Sequence, residues 1–348
     1  MKPHRILYPF SLLYGAVMTI RNAFFENKLL KREEAGVPVI SIGNLTTGGT
    51  GKTPLVELTA ALVRDSGIRT AIVSRGYGRA SSGLVVVSDG TRLVADAAQA
   101  GDEPHQLAEA LPGVAVIVDE VRARGARYAV ENFNAGCLIL DDGFQHRSLD
   151  RSLDIVVIDG SQDLFSMPML PSGYRREPLS ALKRAGAFII TKADDPARVE
   201  TLRARLRAYT AAPVFLGTYE PVALCTMGRA ESASPDTIKG LRVAAFCGIG
   251  QPENFRRTLE ALGADVAAFK AFADHHAYTM EECQGLERLR RETGATILVT
   301  TEKDAHRLSG LTACRSGESV RFVKMRAAIR EHEEFHALIA GTAAGQCV

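Results

Sequence analysis

Apolar residues along this chain fall into short unbroken runs separated by stretches with helical spacing. Val37–Ile42, Thr70–Val73, Leu84–Val87, Val114–Val118, Cys137–Leu140, Ile155–Ile158 and Phe188–Thr191 each read as a strand. The runs are continuous rather than alternating, as expected for strands buried on both faces. With helices between them, they predict an α/β fold of P-loop NTPase type, built on a doubly wound, mostly parallel sheet. Composition shifts over residues 211–235, where strand-like Val214–Leu216 is followed by Pro221 and a Ser/Pro-rich stretch. A second α/β set follows: strand Val243–Cys247, helix Pro252–Leu262, strand Ala267–Phe269, helix Met280–Glu292 and strand Thr296–Val299. The expected organisation is therefore a head over residues 1–32, a core domain over 33–220 and a smaller α/β domain over 221–348. The last helix, near Arg330–Ala340, could return to the core.

The head has a pattern of its own. Its longest uncharged run, Ile6–Ile20, contains Pro9 and Gly15 and falls short of the roughly 20 apolar residues of a spanning helix. Leu13, Val17, Ile20 and Phe24 recur at helical spacing and form one apolar stripe. Two readings fit this stripe: a helix lying in a membrane interface, or a helix packed on the protein's own core. Charge favours the first. Residues 1–32 hold six lysines and arginines against one acid, whereas the whole chain has a formal net charge of only +2. That balance lacks the broad basic footprint of a nucleic-acid binder, and the chain has no tryptophan. No nucleic-acid partner is expected. The six cysteines are widely spaced with no CxxC pair, which argues against a zinc site and predicts reduced thiols.

The strongest local motif is Thr46-Thr47-Gly48-Gly49-Thr50-Gly51-Lys52-Thr53, between a predicted strand and a predicted helix. In that context glycines let backbone N–H groups turn onto phosphate oxygens at a helix N-terminus. Lys52 would reach the β- and γ-phosphates, and the Thr53 hydroxyl would ligate Mg²⁺. The strict pattern has glycine where this chain has Thr46. The strand Cys137–Leu140 runs into Asp141-Asp142-Gly143-Phe144-Gln145-His146, the acidic strand end that completes a Mg²⁺–nucleotide site. Asp159-Gly160 after Ile155–Ile158 is a rival for that role.

Weaker signals lie elsewhere. Asp102 in Gly101-Asp102-Glu103-Pro104 is either a helix N-cap or an acid that orients a hydroxyl. Asp274-His275-His276 is a loop candidate for proton chemistry. Thr300–Asp304 follows a strand but also reads as a surface charge run. Ser74–Arg79 and Arg175–Pro178 carry arginines suited to phosphate.

Eight ordered segments together resemble the tetraacyldisaccharide 4′-kinase family, the lipid A 4′-kinases of Gram-negative bacteria. They are SIGNLTTGGTGKTP (41–54), SRGYGR (74–79), GDEP (101–104), LDDGFQHR (140–147), REPLSALKRA (176–185), FCGIGQPENF (246–255), FADHH (272–276) and TEKDAHR (301–307). The resemblance implies ATP- and Mg²⁺-dependent phosphorylation of the 4′-hydroxyl of a tetraacylated glucosamine disaccharide 1-phosphate. It also implies a peripheral position on the cytoplasmic face of the inner membrane. By position it implies that residues 46–53 cradle the triphosphate and that Asp102 is the general base, with His275 as its partner. Asp141 and Asp142 would organise Lys52 and the metal. Tyr77, His146, Arg176 and Glu177 would lie around the site, with Glu177 a second metal contact. His276 receives no role.

Two other function classes remain at this stage. Thr191-Lys192-Ala193-Asp194 after a strand looks like a guanine-reading motif, which would make the chain a P-loop GTPase or metal-insertion ATPase. A nucleotide-switched membrane adaptor would form no phosphorylated lipid. Gly248-Ile249-Gly250 lacks the third glycine of a dinucleotide fingerprint, which discounts that class.

Overall fold

The computed structural model describes residues 5–48, 50–193, 195–228, 231–274, 276–308 and 320–346. The chain divides into two compact units, Met1–Thr218 with Ala327–Val348, and Tyr219–Arg326.

The first unit holds the paired strands β1 (Val39–Gly43), β2 (Thr70–Ser74), β3 (Val85–Asp89), β4 (Ala115–Val118), β5 (Cys137–Asp141), β6 (Leu153–Asp159) and β7 (Ala187–Thr191), with the start of β8 (Val214–Thr226) up to Thr218. Their order is β8-β7-β6-β1-β5-β2-β4-β3. All pairs are parallel except β3–β4, which is antiparallel at the edge. Every residue of β1, β2, β4, β5, β6 and β7 is buried, so these unbroken apolar runs are two-sided core strands. Helices α1 (Tyr8–Glu26), α2 (Lys52–Asp65), α3 (Ala97–Ala100), α4 (Asp102–Ala110), α5 (Arg122–Phe133) and α6 (Pro196–Arg207) also belong to this unit. Helix α2 buries Leu55, Val56, Thr59, Ala60 and Val63 along one stripe, the spacing that seats a helix on a sheet.

The second unit holds β9 (Ser232–Ala233), β10 (Arg242–Cys247), β11 (Asp265–Ala271), β12 (Ile297–Thr301) and β13 (Val320–Ile329), with α7 (Pro252–Ala261), α8 (Met280–Glu292) and α9 (Glu302–Leu308). Its strands run β11-β10-β12-β13 and are parallel. The final helix α10 (His332–Ala343) lies in the first unit, against α2 and β1.

Three differences from the sequence pattern stand out. First, β8 continues through Pro221, between the part paired with β7 and the part paired with β9. Second, β13 has no counterpart among the predicted strands. Its burial alternates irregularly, so it lacks the apolar run that marked the others. Third, Cys283 is disulfide-bonded, against the expectation of reduced thiols, while Cys137, Cys225 and Cys247 are free.

The charged 301–307 segment is not a solvated face. It forms α9, and Asp304 is fully buried there. Its carboxylate accepts hydrogen bonds from the Gly248 amide at 3.0 Å, Tyr278 Oη at 3.0 Å and Thr301 Oγ1 at 2.6 Å. This carboxylate ties two strand ends of the second unit together.

Gly43 closes β1 against the start of the loop after β5. A Cβ there would stand 2.6 Å from Phe144 Cβ and 2.8 Å from Phe144 N. Gly43→Ala should lower the melting temperature by the equivalent of about 1–3 kcal/mol, the usual cost of overpacking, as measured by thermal denaturation.

Candidate active site

The site is built where β1 ends, between its neighbours β5 and β6. Residues 44–51 connect β1 to α2. Gly48 (φ 107°) and Gly51 (φ 79°) both take left-handed backbone, a conformation that costs side-chain-bearing residues free energy. Gly51 occupies the N-cap position of α2 without a side-chain cap, leaving the first helical N–H groups for an anion. The loop is pinned by buried bonds. Asn44 Nδ2 donates to Thr50 Oγ1 at 3.0 Å, and Thr191 Oγ1 at the end of β7 donates to the Thr50 carbonyl at 3.3 Å. Thr46 pairs with Arg175 in an antiparallel bridge, and the Thr47 amide donates to the Tyr174 carbonyl at 2.8 Å. Thr46 therefore serves as a strand-like clamp point, which explains why a non-glycine residue fits there. Thr53 is buried one residue into α2. Gly49 lies outside the described residues.

Lys52 and the acidic strand end meet directly. Lys52 Nζ lies 3.1 Å from Asp142 Oδ1, and Arg176 Nη1 lies 2.7 Å from Asp142 Oδ2. Burial works to raise the Asp142 pKa, but Lys52 and Arg176 outweigh it and pull the value down to about 2. Asp142 itself has φ 51°, a left-handed turn that carboxylate side chains tolerate better than most. Asp141 behaves in the opposite way. It is buried, with Ser74 Oγ donating to Oδ2 at 2.8 Å. Burial, then the charges of Glu103 and Asp142, push its pKa up to about 6. A buried carboxylate under that penalty, with further oxygen donors at Asp142 and Thr53, suits a hard divalent cation such as Mg²⁺.

The other candidate residues lie in turns after strand ends or at a helix start. Asp102 is the first residue of α4, after Gly101 at φ 90°. It is not the N-cap, because Gly101 holds that position. A Cβ on Gly101 would meet the Tyr77 carbonyl at 3.0 Å, and one on Gly76 would meet the Ala100 carbonyl at 2.7 Å. Glycines thus let the 74–79 turn, which carries the exposed Tyr77, press against the turn that opens α4. His146 has its pKa lowered to about 4, first by burial and then by Arg122 and Arg75, so its imidazole is neutral at pH 7.

Glu177 departs from the expectation of a metal contact. It is fully buried, and Arg184 holds both its oxygens at 2.9 and 3.0 Å while Asn22 Nδ2 donates to Oε2 at 2.8 Å. Both carboxylate oxygens are thus committed within the protein. The rival Asp159 ends β6, but Lys192 Nζ at 2.7 Å, Ser161 and Gln162 occupy its carboxylate. Asp194 and His275 lie outside the described residues. Sequence reasoning missed Arg122, which opens α5, is almost fully buried and has its pKa lowered to about 10 by burial. Its field reaches Asp141, Asp142 and His146. Its signal was positional: a basic residue shortly after a strand end.

Comparison with known proteins matches residues 3–344 to the family model of tetraacyldisaccharide-1-P 4′-kinase, LpxK. The chain belongs to this family. It is 45% identical over 316 residues to the tetraacyldisaccharide 4′-kinase of Anaeromyxobacter dehalogenans, covering 90% of this chain and 84% of the relative. It is 41% identical over 335 residues to that of Chlorobium phaeovibrioides, covering 94% of each. Among solved structures, LpxK from Aquifex aeolicus in complex with ATP is 34% identical with a TM-score of 0.79, covering 97% of this chain and 98% of that one.

Asp141 also makes stability depend on pH. Its folded pKa of about 6 lies above the ordinary 3.8, so the folded chain binds the proton more tightly than the unfolded chain. Its contribution to stability is full below 3.8 and is lost as pH rises through about 6. In metal-free buffer, Asp141→Asn should melt higher than the parent chain at pH 7 and close to it at pH 4. A parallel shift at both values would assign the penalty to another group.

Proposed function

We propose that the cluster of Lys52, Asp142 and Arg176 at the mouth of the 44–51 loop is the phosphoryl-transfer centre of this chain. As a member of its family the chain is an ATP-dependent kinase that phosphorylates the 4′-hydroxyl of tetraacyldisaccharide 1-phosphate, a step of lipid A biosynthesis. The observation that carries the site assignment is the double grip on Asp142, which fixes the lysine ammonium beside the loop.

The roles follow from placement. Backbone N–H groups of the 46–53 loop other than Thr47, whose amide bonds the Tyr174 carbonyl, and the α2 N-terminus bind the triphosphate oxygens. Lys52 neutralises charge on the β- and γ-phosphates. Thr53, Asp141 and Asp142 would hold Mg²⁺, which would supply neutralisation of phosphate charge when bound. Asp102, at the α4 N-terminus, takes the proton of the attacking 4′-hydroxyl. The hydroxyl oxygen forms the new bond to the γ-phosphorus, and ADP leaves. Tyr77 and neutral His146 contact the acceptor, and Arg176 keeps Asp142 in register. Glu177 has a positioning role in place of metal ligation. Guanine reading is set aside, since Lys192 is paired with Asp159.

The membrane face belongs to this reading as well. Leu13, Val17, Ile20 and Phe24, with Phe10, are exposed on α1, as is Ile6 just before it. No helix among the described residues is long and apolar enough to cross a membrane. The exposed row suits burial of one helix face in a lipid interface, assisted by Lys28 and Lys31, each basic residue near an anionic surface contributing about 1 kcal/mol. Arg21 and Arg32 are turned to Gln145 and Asp150 of the protein and contribute less. This supports a peripheral seat on the cytoplasmic face of the inner membrane.

Incubation with γ-labelled ATP, Mg²⁺ and detergent-solubilised tetraacyldisaccharide 1-phosphate should place label on the lipid. ATP hydrolysis with unlabelled lipid would overturn the kinase reading. Asp102→Ala should lower kcat by about 10²–10⁴-fold, the range of a general base, with the KM for ATP little changed. Replacing Leu13 and Val17 together by glutamate should weaken co-sedimentation with anionic vesicles while ATP affinity stays within about twofold, since neither residue meets the site.

A further inference from the structure

Helix α1 carries two faces with separate partners. Its apolar row is exposed, whereas Ser11, Met18, Asn22 and Phe25 are buried and Tyr14 is half-buried. The inward face makes several polar contacts with the loops of the site. Ser11 Oγ accepts from the Ser172 amide at 2.9 Å, and Tyr14 Oη donates to the Arg176 carbonyl at 3.0 Å. Asn22 Nδ2 donates to Glu177 Oε2 at 2.8 Å, and its carbonyl accepts from Arg147 Nη1 at 2.9 Å. Arg21 Nη2 donates to the Gln145 carbonyl at 3.0 Å.

These bonds land on the two segments that bracket the phosphate loop. In the 174–177 segment, the Tyr174 carbonyl accepts from the Thr47 amide, the Arg176 amide donates to the Leu45 carbonyl at 2.7 Å, and the Arg176 guanidinium holds Asp142. In the 144–147 segment, Gln145 Nε2 donates to the Asn44 carbonyl at 2.9 Å. Each of these contacts from α1 thus falls on, or within two residues of, a residue that bonds the loop or Asp142.

We propose that Tyr14 and Asn22 are positioning residues for phosphoryl transfer, through which α1 sets the Arg176 backbone and so the grip of Arg176 on Asp142. The helix proposed to meet the lipid is then also a structural wall of the reaction centre. Losing such a bond frees the Arg176 backbone to shift, and a displacement of about 1 Å at a reacting group is costly in rate. The inference rests on the kinase reading for its assay.

The test is a double-mutant cycle on the full-length chain in detergent, with Tyr14→Phe, Arg176→Lys and the double variant. Tyr14→Phe removes one oxygen and keeps the ring, so the fold is preserved and thermal melting checks it. We expect kcat to fall about 3- to 10-fold in Tyr14→Phe, from the loss of one hydrogen bond, with the KM for the lipid unchanged. In the Arg176→Lys background the same change should cost less than about twofold, because residues that act through one another are non-additive. Asn22→Ala should also lower kcat, whereas Thr19→Ala, whose hydroxyl bonds only within α1 to Gly15, should leave it unchanged. Wild-type kcat in Tyr14→Phe, the same factor in both backgrounds, or a loss confined to the lipid KM would overturn the inference. Failure of the parent chain to label lipid would instead sink the kinase reading.

Discussion

Asp142 held between Lys52 and Arg176 is the interaction on which the site depends. Lysine and arginine would repel each other and a bare carboxylate would resist burial. Together they place an ammonium at the phosphate loop with its charge balanced and its direction fixed. The pair also separates the two adjacent acids. Asp142 is pulled far down by its cations, while Asp141, one residue earlier and without that pairing, is pushed up by burial. Neighbouring residues of one type thus have different charge preferences because their partners differ.

The sheet supplies the scaffold for this arrangement. β1 lies between two parallel neighbours that both end in aspartate, so the loop after β1 meets carboxylates on either side. The side with Asp159 is closed by Lys192, and the side with Asp141 remains available for chemistry. Glycines allow the backbones to approach: Gly43 admits Phe144, and Gly76 and Gly101 let the turn before α4 lie against the Tyr77 turn. These are contacts of atoms far apart in sequence, and substituted residues at these points would push the acceptor side away from the phosphate side.

Helix α1 presents two different faces. Its apolar stripe was legible as helical spacing, but spacing alone left open whether the stripe packs on the core. The stripe is exposed, and a second, largely polar face docks onto the site loops. Spacing finds a stripe, but what it faces depends on the elements packed beside it. Glu177 makes the same point. An acid beside arginine in a site-like segment read as a metal contact, and in the fold Arg184 and Asn22 bond both its oxygens.

Much was determined by the sequence alone. Unbroken apolar runs specified buried parallel strands because a two-sided environment admits no polar alternation. The loop at 46–53, with its glycines and Lys52-Thr53, was legible as a strand–turn–helix junction because left-handed glycines mark such turns locally. The extension of β8 through Pro221, the strand β13 and the burial of Arg122 and Asp304 were left to the tertiary structure. So was the division of labour between Asp141 and Asp142. Each depends on which groups the fold brings within hydrogen-bond or electrostatic reach, a quantity set by packing rather than by spacing along the chain.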